Sequence, residues 1–161
     1  KRCADAINIL ISNTERISIL IENTAGQGSE IGSSFYQIGR IMERIKNRKR
    51  SGVCLDTAHL YAAGYEFGDI LKLDKLIYDA VDHFDVTRIK ALHLNDTPVK
   101  FNSNIDRHYY IGEGNVGIAA FCAIVNYPMF AEAPAIAETP EERDPGHINA
   151  IKKLSALQFS C

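Results

Sequence analysis

The sequence predicts an α/β fold built on a parallel sheet, and three observations lead to that prediction. Short apolar runs rich in β-branched residues alternate with longer segments of helical periodicity. Each of four such runs ends in an acidic residue or a histidine, as strands do at the functional edge of an α/β sheet. The 161 residues hold about four strand–helix units, whereas a closed (β/α)8 barrel needs eight and about 250 residues. The fold is therefore either an open sheet or half of a barrel.

The elements follow one another in alternation along the chain. The predicted strands are residues 17–22, 52–56, 88–94 and 133–138. The predicted helices are residues 4–12, 35–49, 74–84, 116–125 and 146–157. Strands separated by helices of this length form right-handed βαβ units, which is why the predicted sheet is parallel.

Length and composition are those of one globular domain over residues 1–161, with 46% apolar and 24% charged residues. No stretch reaches the ~20 apolar residues of a membrane span, and the charged, amphipathic start is unlike a secretory signal. The four cysteines are scattered without a CxxC pair, which favours free thiols over disulfides and an intracellular location, in the cytoplasm or nucleus. A net charge of −2 neither suggests nor excludes a nucleic-acid partner.

Acidic and histidine side chains stand at or just after the apolar runs, and their oxygen and nitrogen atoms are the donor types that hold Zn²⁺ or a similar ion. They are Glu22, Asp56, His59, His93, Asp106, His108 and Glu138. A carboxylate such as Glu22 or Glu138 at the end of a buried strand is costly unless it is paired or bound to a metal. A shared cation explains both more economically than two unrelated salt bridges, so a multi-metal hydrolytic site is the leading hypothesis.

Each motif also has a structural interpretation. Asp56 could simply cap a helix that carries His59 on its surface, and His93 could be a hydrogen-bonded core residue. Asp106 and His108 are two residues apart, so in an extended loop both side chains point the same way and can reach one ion. Asn95 and Asp96, which follow His93, could orient a turn or donate a hydrogen bond to a ligating histidine.

Three further positions are candidates for ligand contact. Gln27 lies between two glycines, in a loop where the backbone can approach a ligand closely. Lys100 and Arg107 follow the third strand and are well placed to meet a phosphate backbone. The basic run over residues 40–50 is interpreted as a solvated face, because a helix that leaves the carboxyl end of a strand finishes at the opposite end of the sheet.

Together, five stretches resemble the endonuclease IV family, the zinc-dependent abasic-site endonucleases. They are residues 21–28, residues 52–59 with 62–65, residues 93–96, residues 106–108 with 111–114, and residues 138–140. The resemblance implies the carboxyl-terminal half, about four βα units, of a (β/α)8 TIM barrel, corresponding to strands five to eight. Two histidines of the family's first zinc site have no counterpart in this sequence.

The resemblance also implies a set of site roles. Glu22 corresponds to a carboxylate that bridges two zinc ions, and Asp56, His93 and Glu138 complete the second zinc site. His59, Asp106 and His108 form the third site. Glu22 and Glu138 are the expected catalytic carboxylates, and Gln27, Lys100 and Arg107 the expected DNA contacts. A complete barrel would hold three Zn²⁺ ions, of which about two are expected on this half.

The implied reaction is hydrolysis of the phosphodiester 5′ to an abasic site in double-stranded DNA, leaving a 3′-hydroxyl and a 5′-deoxyribose phosphate. Expected partners are that DNA and either an amino-terminal half or a second copy of the chain, with no membrane. Two alternatives remain open. One is a metal-dependent sugar isomerase or epimerase on a related barrel. Residues 59, 106 and 108 argue against it, because they imply one ion more than such enzymes typically use. The other is a non-catalytic zinc-binding half-barrel.

Overall fold

A computed structural model describes residues 1–158, and within them the chain forms a four-stranded parallel sheet with helices. The strands are β1 (Ile19–Glu22), β2 (Ser51–Asp56), β3 (Ile89–His93) and β4 (Ala135–Ile136). The α-helices are α1 (Arg2–Ser12), α2 (Phe35–Met42), α3 (Thr57–Ala62), α4 (Ile70–Val81), α5 (Ile118–Val125) and α6 (Ile148–Leu157). Short 3-10 turns occupy Val86–Arg88, Pro128–Phe130 and Pro145–His147.

The strands lie side by side in chain order, β1-β2-β3-β4, all parallel. Right-handed crossovers between successive strands place the connecting helices on one side of the sheet. Neighbouring helices accordingly contact one another: α1 with α2, α2 with α4, α4 with α5, and α5 with α6. The core lies between this layer and the strands, around Phe35, Val53, Leu73 and Phe121. The predicted α/β class with a parallel sheet is confirmed.

Several predicted boundaries are wrong, for identifiable reasons. The helix predicted over residues 35–49 ends at Met42 because Asn8 of α1 binds the following chain, accepting from Lys46 N at 2.9 Å and donating to Arg44 O at 3.0 Å. The helix predicted from residue 74 begins earlier, at Ile70, because the Asp69 side chain caps it by accepting from Lys72 N at 2.9 Å.

Two other differences concern length. The fourth strand, predicted over residues 133–138, is reduced to Ala135–Ile136, which pair with Leu92 and His93 of β3. The short helix α3, directly after β2, was absent from the predicted helices and was foreseen only in the alternative that Asp56 caps a helix, which is how it begins.

The cysteine prediction is partly wrong. Cys3 and Cys54 are free thiols, whereas Cys122 is disulfide-bonded. Spacing along the chain carries no information about which thiols meet in the folded state, which is why the pattern misled. Cys161 lies outside the described residues. None of the helices within residues 1–158 has the length and apolarity needed to cross a membrane.

Candidate metal centre

The last residues of β1, β2 and β3 are Glu22, Asp56 and His93. The parallel register therefore brings three donor side chains together at the carboxyl ends of the strands. Glu138 joins them from two residues beyond β4. His93 Nδ1 lies 3.0 Å from Glu22 Oε1, 3.1 Å from Glu138 Oε2 and 3.9 Å from Asp56 Oδ2. These four residues each direct one donor atom into a common volume, with all donor atoms within 4.8 Å of one another. They form the strand-end cluster.

A second group, the loop cluster, consists of Asp56, His59 and His108. His59 Nε2 and His108 Nε2 face each other at 3.4 Å, and Asp56 Oδ2 lies 3.7 Å from His108 Nε2. Asp106 lies at the margin of this cluster, with Oδ1 3.2 Å from His59 Nε2 and 3.8 Å from His108 Nε2. The extended loop places Asp106 and His108 on the same side, while Arg107 between them is exposed.

Asp56 belongs to both clusters, and its side chain is completely buried. Its Oδ1 caps α3 by accepting from His59 N at 2.8 Å, and its Oδ2 faces His93 and His108. The capping interpretation and the metal-ligand interpretation of this residue are therefore compatible, because each uses a different carboxylate oxygen.

Asn95 orients the carboxylates of the strand-end cluster. Its Nδ2 donates to Asp56 Oδ2 at 2.6 Å and to Glu138 Oε2 at 3.2 Å, and its Oδ1 accepts from Glu138 N at 2.7 Å. The sequence suggested that this residue could bind a ligating histidine, but its side-chain partners are the two acids. Asn95 is completely buried, so its geometry is set by packing.

Asn23 sets the orientation of His59, a role that the sequence did not reveal. The Asn23 carbonyl lies 2.9 Å from His59 Nδ1, so that nitrogen is placed to donate, and the Nε2 lone pair faces the loop cluster. The Asn23 side chain also brackets the end of β2, accepting from Asp56 N at 2.7 Å and donating to Asp56 O at 3.1 Å. The available signal was its position directly after the acid that ends β1.

The electrostatics of the clusters favour retention of positive charge. Burial raises the pKa of Asp56, and the charge of His59 opposes this rise. Burial would also raise the pKa of Glu22, but the hydrogen bond with His59 and the charge of His93 outweigh it, so the pKa is lowered. Burial would lower the pKa of His59, yet the hydrogen bond with Glu22 and the charge of Asp56 raise it to about 9. The carboxylates thus hold a proton on His59 that a metal ion would displace.

Residues 97–116, the long loop after β3, carry Asp106 and His108 and are fastened by backbone contacts. Asn102 N donates to Tyr61 O at 3.1 Å, Asn104 N donates to Ala62 O at 2.9 Å, and Asn104 Nδ2 reaches Ala25 O at 2.8 Å. The loop is therefore attached both to α3 and to the segment after β1, so His108 is held opposite His59 by structure on two sides.

The base of the same loop is organised around the buried carboxylate of Asp96. Oδ1 accepts from Thr97 N at 2.8 Å and Val116 N at 3.0 Å. Oδ2 accepts from Gly112 N at 2.9 Å and Gly114 N at 3.0 Å. A Cβ at residue 114 would collide with the Asp96 carboxylate, which explains the glycine there. Asp96 thus draws the two ends of the loop together.

The predicted DNA contacts occupy different environments. Lys100 and Arg107 are exposed on the loop after β3. Gln27, in the loop after β1, uses its Oε1 to accept from Asp106 N at 3.0 Å. In this arrangement Gln27 connects the two loops beside the loop cluster, and Lys100 and Arg107 remain available to an external partner.

Both clusters fit a transition-metal ion. Imidazole nitrogen and carboxylate oxygen are ligand types that Zn²⁺ accepts, and the facing Nε2 atoms of His59 and His108 converge as they would on a shared ion. The buried Asp56 would otherwise be a carboxylate taken out of water. The outer hydrogen bonds from Asn23 and Asn95 orient the inner donors, as metal sites require.

Comparison with known proteins places this centre in context. A family model described as "Xylose isomerase-like TIM barrel" matches residues 1–158. The chain therefore belongs to this family of barrel proteins, and its four-stranded sheet corresponds to half of such a barrel, as the sequence predicted.

Individual relatives point to one group of proteins within this barrel family. The chain is 43% identical over 155 residues to "Probable endonuclease 4" of Chlorobium phaeovibrioides, covering 96% of this chain and 55% of that protein. It is 40% identical over 155 residues to "Probable endonuclease 4" of Akkermansia muciniphila, covering 94% and 53%. The crystal structure of endonuclease IV from Thermus thermophilus superimposes with a TM-score of 0.76 at 27% identity, over 92% of this chain and 52% of that one. The predicted resemblance to the endonuclease IV family is confirmed, and the chain spans about half the length of the curated relatives it matches.

Proposed function

We propose that this chain supplies the carboxyl-terminal half of a zinc-dependent abasic-site endonuclease. The reaction is hydrolysis of the phosphodiester 5′ to an abasic site in duplex DNA, with a 3′-hydroxyl and a 5′-deoxyribose phosphate as products. The observation that carries the proposal is the pair of donor clusters joined through Asp56 at the carboxyl ends of the strands. Membership of the endonuclease IV family supports it.

In this proposal the strand-end and loop clusters would hold one zinc ion each, and Glu22 would also help to hold a third ion together with the other half of the barrel. Bound zinc supplies positive charge and Lewis acidity to the phosphodiester. Glu22 and Glu138 are suited to contact zinc or the substrate because their side chains are 35% and 44% exposed, whereas Asp56 is buried.

The remaining roles belong to residues of the chain itself. Asn95 holds Glu138 Oε2 in the strand-end cluster, and the Glu138 side chain is 44% exposed, so we assign its other carboxylate oxygen acceptance of a proton from the attacking water. Lys100 and Arg107 would bind backbone phosphates, which positions the DNA without reading its sequence. An abasic sugar can be drawn out of the duplex toward the clusters at low cost because it has no base to unstack.

The other half of the barrel would join at the free edges of the sheet. Within residues 1–158, β1 pairs only with β2 and β4 pairs only with β3, so each end strand leaves one edge for further pairing. Two kinds of partner can be tested there: the amino-terminal half of a relative, and a second copy of this chain.

Zinc stoichiometry and incision together test the proposal. We expect about two zinc ions per chain, one for each cluster. A duplex with a single abasic analogue should be incised when the chain is combined with the amino-terminal half of the Chlorobium relative, leaving a 3′ end that a polymerase extends. His108→Ala should lower this incision about 100-fold or more, whereas Lys72→Ala, a change at a half-exposed lysine that pairs with Glu66, should not.

The outcomes separate the alternatives. Zinc bound without incision in the combined barrel would contradict the nuclease proposal and favour a non-catalytic metal-binding half-barrel. Turnover of ketoses without incision would instead favour the sugar isomerase or epimerase alternative.

A further inference from the structure

A second candidate site lies at the opposite end of the sheet, where a cavity of about 350 Å³ opens between the chain after α2 and the turn after α4. Arg48 and Lys49 line it just before β2, and Arg88 lines it just before β3. The metal-binding clusters stand at the other ends of these strands. Since β2 is six residues long, the two sites are separated by roughly 17 Å along the sheet.

The cavity carries more positive than negative charge, because Arg48, Lys49 and Arg88 line it against the two acids Glu43 and Asp85. Glu43 Oε2 accepts from Arg40 Nη1 at 2.7 Å, and Asp85 Oδ1 accepts from the Thr87 amide and hydroxyl. Within residues 1–158, neither Arg48 nor Lys49 has a side-chain ion pair or hydrogen bond. The predicted solvated face is thus, at these two residues, the rim of a cavity.

Arg88 presents an incompletely satisfied guanidinium at the inner wall. Its Nη2 donates to Ser51 Oγ at 2.6 Å, but its buried Nε has no hydrogen-bond partner. Burial lowers the pKa of Arg88, and the neighbouring charge of Arg48 lowers it further. Two guanidinium groups that line one cavity, one of them with a buried N–H unpaired, are an arrangement that an oxyanion between them would stabilise.

The walls of the cavity are held in place by close packing. Gly39 of α2 lies against the His83 carbonyl so closely that a Cβ at residue 39 would collide with that oxygen. Met42 and Phe84, both buried, supply the apolar part of the lining. The cavity is therefore formed before any ligand arrives, which lowers the entropic cost of binding.

We propose that this cavity binds a small phosphate-type oxyanion, with Arg88 at its inner wall and Arg48 and Lys49 at its rim. Guanidinium groups match the geometry of phosphate oxygens bidentately, and a lysine adds a compact charge. A cavity of this size accommodates more than one phosphoryl group, so a diphosphate is the favoured probe.

Titration of pyrophosphate into the 161-residue protein at constant ionic strength tests the proposal. The amide NMR signals of Phe84, Asp85 and Arg88 should shift in a saturable way. Arg48→Ala should weaken binding about tenfold, because one charge-assisted contact is lost. Arg48 is exposed, so this variant should keep the wild-type circular dichroism spectrum and melting temperature. Lys72→Ala, which removes a cation lining a different cavity, is the matched control and should bind as the wild type does.

Three results would overturn the proposal. One is a response to pyrophosphate no larger than the response to chloride at the same ionic strength. Another is equal affinity in Arg48→Ala and Lys72→Ala. The third is a set of shifts centred on His93 and His108, which would place the anion at the metal centre instead.

Discussion

Replacing the buried carboxylate of Asp96 by an amide should impair metal binding at the loop cluster without affecting the strand-end cluster. Asp96 accepts four backbone hydrogen bonds, two on each oxygen, from residues at both ends of the loop over residues 97–116. An asparagine has nearly the same shape but turns one of these oxygens into a donor. Whichever way the amide is oriented, two backbone N–H groups lose their acceptor and face another N–H.

The expected destabilisation follows from those two lost contacts. A hydrogen bond to a charged acceptor contributes about 1.5–3 kcal/mol, and a buried unpaired donor carries its desolvation penalty. Asp96→Asn should therefore lower the free energy of unfolding by about 3–6 kcal/mol, a large part of the ~5–15 kcal/mol typical of a domain. Because the loop carries His108, the loop cluster should lose its zinc, while the strand-end cluster on β1 to β3 should keep its own.

Urea denaturation and zinc analysis on the same preparations measure both effects. Amide exchange adds a local readout, since the Gly112 and Gly114 N–H groups should exchange faster in Asp96→Asn than in the wild type. Asp69→Asn is the matched control, because Asp69 caps α4 and asparagine caps helices about equally well. The reasoning is refuted if Asp96→Asn unfolds at the wild-type urea concentration, or if it loses both zinc ions together.

Four other predictions concern the metal centre. His108→Ala should remove zinc from the loop cluster alone and lower incision in a completed barrel about 100-fold or more, with an unchanged circular dichroism spectrum. Glu22→Gln should lower incision further, because the carboxylate it replaces faces both His59 and His93; a smaller loss than in His108→Ala would contradict this. In the metal-free protein, folding raises the pKa of His59 from 6.5 to about 9, so protonation of His59 stabilises the folded state. This contribution to the free energy of unfolding is at most on the order of 3 kcal/mol. It should be fully present below pH 6.5 and disappear as the pH rises through 9. Urea unfolding midpoints measured from pH 6 to 10 would show this loss of stability. The prediction is refuted if the midpoint does not change with pH, or if it changes equally in His59→Gln. On the proposed function, EDTA should abolish incision by the completed barrel only slowly, because a buried zinc ion would dissociate slowly, whereas instant loss would indicate loosely held Mg²⁺.

Periodicity and donor type predicted four strands and singled out side chains that the structure brings together, and the role of these side chains as metal ligands stays a prediction. Glu22, Asp56 and His93 could be placed together because each ends an apolar run, and parallel strands share one edge for their carboxyl ends. The order of the motifs then pointed to the family, which the comparisons confirm.

The helix boundaries were less predictable, because contacts from elsewhere in the chain override local preference. The apolar spacing of residues 35–49 is helical throughout, yet Asn8, some 38 residues from Lys46, captures the backbone beyond Met42. For Asp56 the sequence left a helix cap and a metal ligand as alternatives, and the structure makes them compatible, since Oδ1 caps α3 while Oδ2 faces His108.

By itself the sequence determined the α/β class, the parallel sheet and the inventory of oxygen and nitrogen donors, since these depend on residue type and spacing along the chain. Only the tertiary structure decided that Asp56 is shared between two clusters and that Asn95 orients acids. It also decided that Arg48 and Arg88 line one cavity. Those facts depend on contacts between distant segments, such as that of Asn95 with Asp56, which are 39 residues apart. The positions of such pairs are set by how the whole core packs, and no local pattern encodes that packing.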